Sequence, residues 1–296
     1  MADLSLIKKL REATGCGIAD CNKALAENAD DFEKSVDWLR KKGLASASKK
    51  TGRVASEGLV AVYIDGLNGS VIEVNSETDF VARNDKFQNF VAKVSKEALQ
   101  YGDDISKFQS DKDEEVKSQI GVIGENINIR RIASLKVNKG LVVSYIHNSV
   151  SENMGKIAVL LAFESVASVD KLSEIGKQIA MHIAATKPDA LNIESVDPAK
   201  LSREIEVLKE QARATGKPEN IIEKMMEGRI RKYYEEVVLL EQAFVMDDKL
   251  KIKDLVANFA KQNGDTKISG FKLYILGEGL EKKENNFAQE VASMTS

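Results

Sequence analysis

The chain has 296 residues, 43% of them apolar and 30% charged, with 43 Lys and Arg against 46 Asp and Glu for a formal net charge of −3. That is ordinary globular composition at a length that can bury two or more cores, which argues against a disordered or membrane-embedded chain. The slight acidic excess argues equally against a protein whose main task is gripping phosphate backbones.

Residues 3 to about 43 read as three short helices: Leu6, Ile7 and Leu10 stripe the first, Ile18, Cys21 and Leu25 the second, Phe32, Val36 and Leu39 the third. Thr14-Gly15 ends the first, Asp30 or Asp31 caps the third, and Gly43 is expected to stop it. Trp38 is expected to pack inside this bundle. So few core residues make a marginal unit that leans on a neighbour or a partner. Cys16 and Cys21, the only cysteines, are placed on one helix facing different ways, so reduced thiols and a cytoplasmic setting are expected. Met1-Ala2-Asp3-Leu4-Ser5 carries no basic stretch leading into an apolar core, so no secretory signal is read there. From Arg40 to Arg53 there are six basic residues (Arg40, Lys41, Lys42, Lys49, Lys50, Arg53) and no acid. A solvated linker is expected; an RNA- or tRNA-binding segment is the alternative, disfavoured by the lack of interleaved aromatics.

Gly58 to Ile64 alternates as a strand, Asp65-Gly66-Leu67-Asn68-Gly69 is a hairpin turn, and Val71 to Asn75 is the return strand. After the peptide Ser76 to Asp85, the residues Phe87, Phe90, Val91 and Val94 recur at helical spacing. Phe80 therefore falls in a turn rich in caps and charges. By residue type it is a hydrophobic staple folded onto the core; the sharper reading makes Asp79 and Phe80 a tip aimed at another protein. Gly140 to Ile146 echoes Gly58 to Ile64, with a hairpin between Asn148 and Gly155 and a strand from Lys156 to Phe163. Its seven-residue apolar run, Ile157 to Phe163, is far too short to span a membrane. Two related units of two strands and a helix are implied, hence an α+β fold.

The three prolines, 188, 198 and 218, mark an inserted element. Asp197-Pro198 opens a helix striped by Leu201, Ile205, Leu208 and Ala212; Ala214 to Pro218 turns the chain. Ile221, Met225, Ile230 and Tyr233 or Tyr234 stripe the return helix, so the two zip into an antiparallel arm. Ile268 to Leu276 is a further strand, and Phe287, Val291 and Met294 predict a short terminal amphipathic helix.

No enzyme constellation is visible. The two histidines, His147 and His182, sit in no catalytic or metal motif, and His182 in an apolar helix reads as a satisfied core histidine. The Gly-Lys pairs lack the Ser or Thr of a P-loop, and no third glycine completes a dinucleotide loop, so no direct nucleotide binding, cofactor or metal is expected.

The run Glu73-Val74-Asn75-Ser76-Glu77-Thr78-Asp79-Phe80-Val81-Ala82-Arg83 closely resembles the signature of the elongation factor Ts family. Leu10 to Leu25, Gly124 to Arg131, Ala180 to Pro188 and Phe244-Val245-Met246 match in order, so the resemblance covers nearly the whole chain. It implies a guanine-nucleotide exchange factor for elongation factor Tu, the GTPase that delivers aminoacyl-tRNA to the ribosome. It further implies a ubiquitin-associated-like bundle at 1–54, a core at 55–139, and a second core part at 140–187 and 241–280. The helical hairpin at 188–240 and the terminal helix at 281–296 complete the implied organisation. Thr78, Asp79, Phe80 and Val81 would form the tip that intrudes at the partner's magnesium and phosphate site. Ile18 and Ala19 would be bundle contacts to the partner's G domain, and Ile123, Gly124 and His147 core contacts, with a second domain of the partner also touched. A homodimer or a 2:2 complex is left open. The family usually has Lys at the position of Asn22, so docking there is either weaker or carried by Lys23.

Overall fold

The computed structural model describes residues 3–214 and 218–280; the expected terminal helix over 281–296 and residues 215–217 of the turn between the arm's helices lie outside them. Three helices open the chain, α1 (Leu4–Thr14), α2 (Ile18–Glu27) and α3 (Phe32–Lys50). Leu10, Cys21, Ala24, Leu25 and Leu39 form their small core, with Trp38 half-buried against it. Asp31 caps α3 by accepting the Lys34 N–H. Two expectations fail here. Gly43 does not stop α3, which runs on through Lys50, because Gly43 stays out of the left-handed conformation that a terminating glycine adopts. Cys16 lies in the turn before α2, half-buried, while Cys21 on α2 is fully buried; both are free thiols.

The basic segment is consequently helix and not linker up to Lys50, and most of its charge is used within the molecule. Arg40 pairs with Glu114, Lys42 with Asp20, Arg53 with Glu77, and the Lys50 ammonium donates to the Gly124 carbonyl.

Strands β1 (Glu57–Asp65) and β2 (Asn68–Ser76) form the first hairpin, closed by Gly66-Leu67. A one-turn helix α4 (Asp79–Ala82) and the longer α5 (Asp85–Ala98) and α6 (Ile105–Ile123) follow, then β3 (Ile127–Lys136). The second hairpin, β4 (Gly140–Ser151) and β5 (Met154–Ser165), turns more tightly than expected, through Glu152-Asn153, with Asn153 at φ 59°. Helix α7 (Val169–Thr186), the arm helices α8 (Pro198–Arg213) and α9 (Glu219–Val237), a short ribbon β6 (Ala243–Phe244) and β7 (Asp247–Lys251), α10 (Ile252–Asn263) and β8 (Thr266–Ile275) complete the described chain.

The two halves share one antiparallel sheet. Its order is β3-β2-β1-β5-β4, and β8 pairs along Ile157–Ser165 of β5 on the edge whose first residues, Met154 and Gly155, pair with β1. Strand alternation assigns the layers. Leu59, Ala61, Ile72 and Val74 face Phe87, Phe90, Val91 and Val94 of α5 and Phe108 and Ile120 of α6. Val159, Leu161 and Phe163 face Leu172, Ile175 and Ile179 of α7. The opposite faces, Val60, Val62 and Val71 with Ala158, Leu160 and Ala162, form a third cluster. Helices therefore cover the outer face of each half while the inner faces pack together, the α+β architecture expected.

In the arm, Asp197 caps α8 by accepting the Ala199 N–H. The expected stripe of α8 holds, but α9 buries Ile222 and Met226, one residue on from the Ile221 and Met225 of the sequence reading, and leaves Ile221 40% exposed. His182 is buried, its Nε2 on the Gln242 carboxamide oxygen at 2.9 Å and its Nδ1 accepting from the Val245 N–H at 3.3 Å, a satisfied core histidine. Among the described residues no helix is long and apolar enough to cross a membrane.

Candidate functional site

The peptide after β2 is held from below. Glu73, fully buried on β2, accepts from Arg130 and Arg131 of β3 at 3.1 and 2.6 Å, from the Asn75 carboxamide at 3.0 Å and from the Gly277 N–H at 2.9 Å. A buried carboxylate is tolerable only when its lone pairs are filled in this way. The Arg131 guanidinium lies 4.2 Å from the centroid of the Tyr274 ring, and burial pushes the Tyr274 hydroxyl up to about 12. The network ties β2 and β3 to the chain just past β8.

Four residues further on, two carboxylates cross. Glu77 accepts the Asn126 N–H at 2.7 Å, while Glu125 accepts both the N–H and the hydroxyl of Thr78, at 2.9 and 2.6 Å. The Asn126 carboxamide donates in turn to the Arg53 carbonyl at 2.7 Å. The loop 124–126 is itself fixed, since Gly124 ends α6 at φ 90° and its carbonyl accepts Lys50 at 2.7 Å.

On this base stands α4. Val81 and Ala82 point into the first core, and three of its carbonyls are taken: Phe80 O by the Arg83 N–H, Val81 O by the Asn84 N–H, Ala82 O by the Gln88 carboxamide. Asn84 then caps α5 by accepting the Lys86 N–H. Asp79 is exposed and Phe80 is 81% exposed; no other Phe among the described residues is exposed. The staple reading of Phe80 is thereby overturned: with Val81 and Ala82 turned inward on a single helical turn, residue 80 must face out.

The other expected contact residues fall into two sets. Ile18, 59% exposed, and Ala19 lie in the first turn of α2, with Lys23 exposed one turn later and paired to Glu27 at 3.8 Å. Lys86 donates to the Gly15 carbonyl just before α2 at 2.6 Å, and a cavity of about 490 Å³ has Gly17, Asp20 and Gly124 on its wall. The start of α2, Gly124 and the base of α4 thus lie near one another, with Ile123 half-buried against the first core. His147 belongs to the second half, on β4 opposite Ile157, where it is exposed and its Nδ1 meets the Tyr145 hydroxyl at 3.1 Å. Sequence reasoning passed over Glu125, Asn126 and Arg130 as site residues. Their only signal was membership of the Gly124 to Arg131 match.

A buried base bonded through Glu73, Glu77 and Glu125 lifts one carboxylate and one aromatic ring into water, the build expected of a factor that docks on another protein. Comparison with known proteins narrows this. The family model for elongation factor TS matches residues 77–278. Elongation factor Ts of Rhodospirillum centenum is 56% identical over 305 residues, covering 99% of each chain, and that of Paramagnetospirillum magneticum 52% over 298 residues, covering 98% and 96%. Elongation factor Ts of Rickettsia felis is 49% identical over 297 residues, covering 98% and 96%. The chain belongs to the elongation factor Ts family, and is a nucleotide exchange factor of translation elongation in a family partnered with elongation factor Tu.

Proposed function

We propose that this chain releases GDP from elongation factor Tu by setting Asp79 and Phe80 against the partner's Mg²⁺ and phosphate site, acting in the cytoplasm. The observation that carries this is an 81% exposed Phe80 on a turn whose next two residues, Val81 and Ala82, are buried in the core. A GTPase of this class holds its nucleotide through Mg²⁺ and backbone amides around the phosphates, so a ring that displaces those groups removes much of the affinity. Thr78 and Val81 seat the tip. Ile18, Ala19 and Lys23 of the bundle, with Ile123 and Gly124, dock on the G domain, and His147 on the second half reaches another part of the partner.

Energetics divide the work. A 10⁴-fold weakening of nucleotide needs roughly 5.5 kcal/mol of coupling. Burying one Phe side chain is worth about 1.5–3 kcal/mol, so the wider interface supplies the rest. Linkage makes the effect reciprocal: nucleotide weakens the factor's hold by the same ratio. Stopped-flow release of fluorescent GDP from purified elongation factor Tu tests the proposal. Phe80→Ala is expected to leave thermal unfolding unchanged and slow release by roughly 10- to 100-fold, the factor for about 1.5–3 kcal/mol; release at the wild-type rate would refute it.

A further inference from the structure

Thr78 occupies the cap position of α4 but makes no side-chain cap bond. A Thr there ordinarily accepts an N–H from its own helix. Its hydroxyl instead donates to Glu125 at 2.6 Å, and its N–H goes to the other oxygen of the same carboxylate at 2.9 Å. A four-residue helix has thus given up its own cap to be tied to a loop 47 residues away. Glu77 returns the tie by holding the Asn126 N–H at 2.7 Å. Charge-assisted bonds of this kind are short and directional, and two on one residue fix orientation as well as distance.

We infer that Glu125, with Glu77 as its crossed partner, is a positioning residue of the exchange tip: it sets the orientation of α4, and so of Phe80, relative to Gly124. The inference rests on the exchange reading above. Glu125 need not touch the partner. Its carboxylate is occupied by Thr78, and its effect passes through the turn that Thr78 begins. Loss of the clamp leaves Val81 and Ala82 anchored in the core while the leading edge of α4 swings, which misplaces the ring without unfolding the domain.

The test compares wild type, Phe80→Ala, Glu125→Ala and Glu125→Gln as intact chains in GDP release from elongation factor Tu, across a range of factor concentrations. Glu125→Ala is expected to lower the maximal release rate on the order of tenfold or more, as small misplacements of a reacting group do. The half-saturating concentration changes by a smaller factor, because the bundle still docks. Amide hydrogen exchange supplies the readout that a merely structural role would not move selectively: the Arg83 N–H, bonded to Phe80 O, quickens, while the Asn84 N–H on the anchored Val81 O and the β1 and β2 amides do not. Glu125→Gln, which keeps one acceptor oxygen for Thr78, recovers part of the rate. A wild-type maximal rate in Glu125→Ala beside a slow Phe80→Ala overturns the positioning role and leaves the exchange reading standing. A wild-type rate in Phe80→Ala overturns the exchange reading and the role assigned to Glu125 with it. If Glu125→Ala unfolds, Glu125→Gln carries the comparison, and wild-type rate with unchanged amide exchange in that variant overturns the role.

Discussion

Replacing Glu73 by Gln probes the base of the tip with almost no change in shape. One oxygen of the carboxylate receives Asn75, Arg130 and the Gly277 N–H, the other Arg130 and Arg131. A carboxamide keeps one of these faces and turns N–H donors toward the donors on the other. At least two bonds are lost or inverted in either orientation, one or more of them to a guanidinium and worth about 1.5–3 kcal/mol, and removing one side of a buried pair costs roughly 3–5 kcal/mol. The two guanidiniums remain 23% and 26% exposed, so water reclaims part of their solvation, which brings the expectation to the lower end, about 3 kcal/mol. Equilibrium urea unfolding followed by circular dichroism measures it. Glu278→Ala is the control: this partner of Arg131 is half exposed, and such surface pairs contribute about 0–1 kcal/mol. The reasoning fails if Glu73→Gln loses less than about 1 kcal/mol, or if the control costs as much.

Gly43 and Gly121 meet where α3 crosses α6, and the crossing is asymmetric. A Cβ on Gly121 would stand 2.8 Å from the Gly43 Cα, whereas one on Gly43 would find its nearest atom at an ordinary 3.6 Å. Gly43→Ala is therefore expected to raise stability by about 0.5–1 kcal/mol through helix propensity, and Gly121→Ala to lower it by about 1–3 kcal/mol by forcing the helices apart; thermal unfolding of both checks the sign. Burial pushes the His182 imidazole below its ordinary value, against a smaller opposing effect of the Gln242 hydrogen bond. Above about pH 6.5 the ring is neutral folded or unfolded; below it the unfolded chain takes up a proton that the folded chain resists. Stability should then fall with pH by up to about 1.4 kcal/mol per unit, a slope read from urea midpoints and absent from His182→Asn.

Much of the fold was legible because its signals are local. The two hairpins announced themselves through alternation and turn residues, and the arm through Asp197-Pro198 and a long apolar stripe. What stayed hidden depends on distant partners. Helix α6 carries a charged centre, Asp111 to Lys117, and its fully buried anchors, Phe108 and Ile120, stand twelve residues apart, so no stripe marks it. Its burial comes from β3 and from α3 across the Gly43 contact. Gly43 looked like a stop because glycine ends helices, yet here its missing side chain admits a neighbouring backbone. The one-residue slip in α9 has a similar origin: two overlapping apolar ladders run through Ile221, Ile222, Met225 and Met226, and only packing against Ile205 and Ala212 chooses between them.

At the site, residue type pointed the wrong way and the resemblance pointed the right way for the exposure of Phe80. Apolar identity favours burial on average, but it cannot register that Val81 and Ala82 already fill the inward face of a four-residue helix. Nor could pattern show that Glu125 answers Thr78, since a carboxylate 47 residues from its donor obeys no period. The motif is therefore mostly scaffold. Glu73, Asn75, Ser76, Glu77 and Thr78 are spent on holding backbone and side chains in place, Val81 and Ala82 on the core, and Asp79 and Phe80 are what the arrangement presents. This division has an energetic reason. In the proposed exchange role, a ring on a slack loop would lose part of its roughly 1.5–3 kcal/mol of burial to the entropy of ordering the loop, whereas a turn fixed in the free protein would deliver that energy to the partner. The cost of rigidity has been met in folding, by bonds that lie beneath the tip.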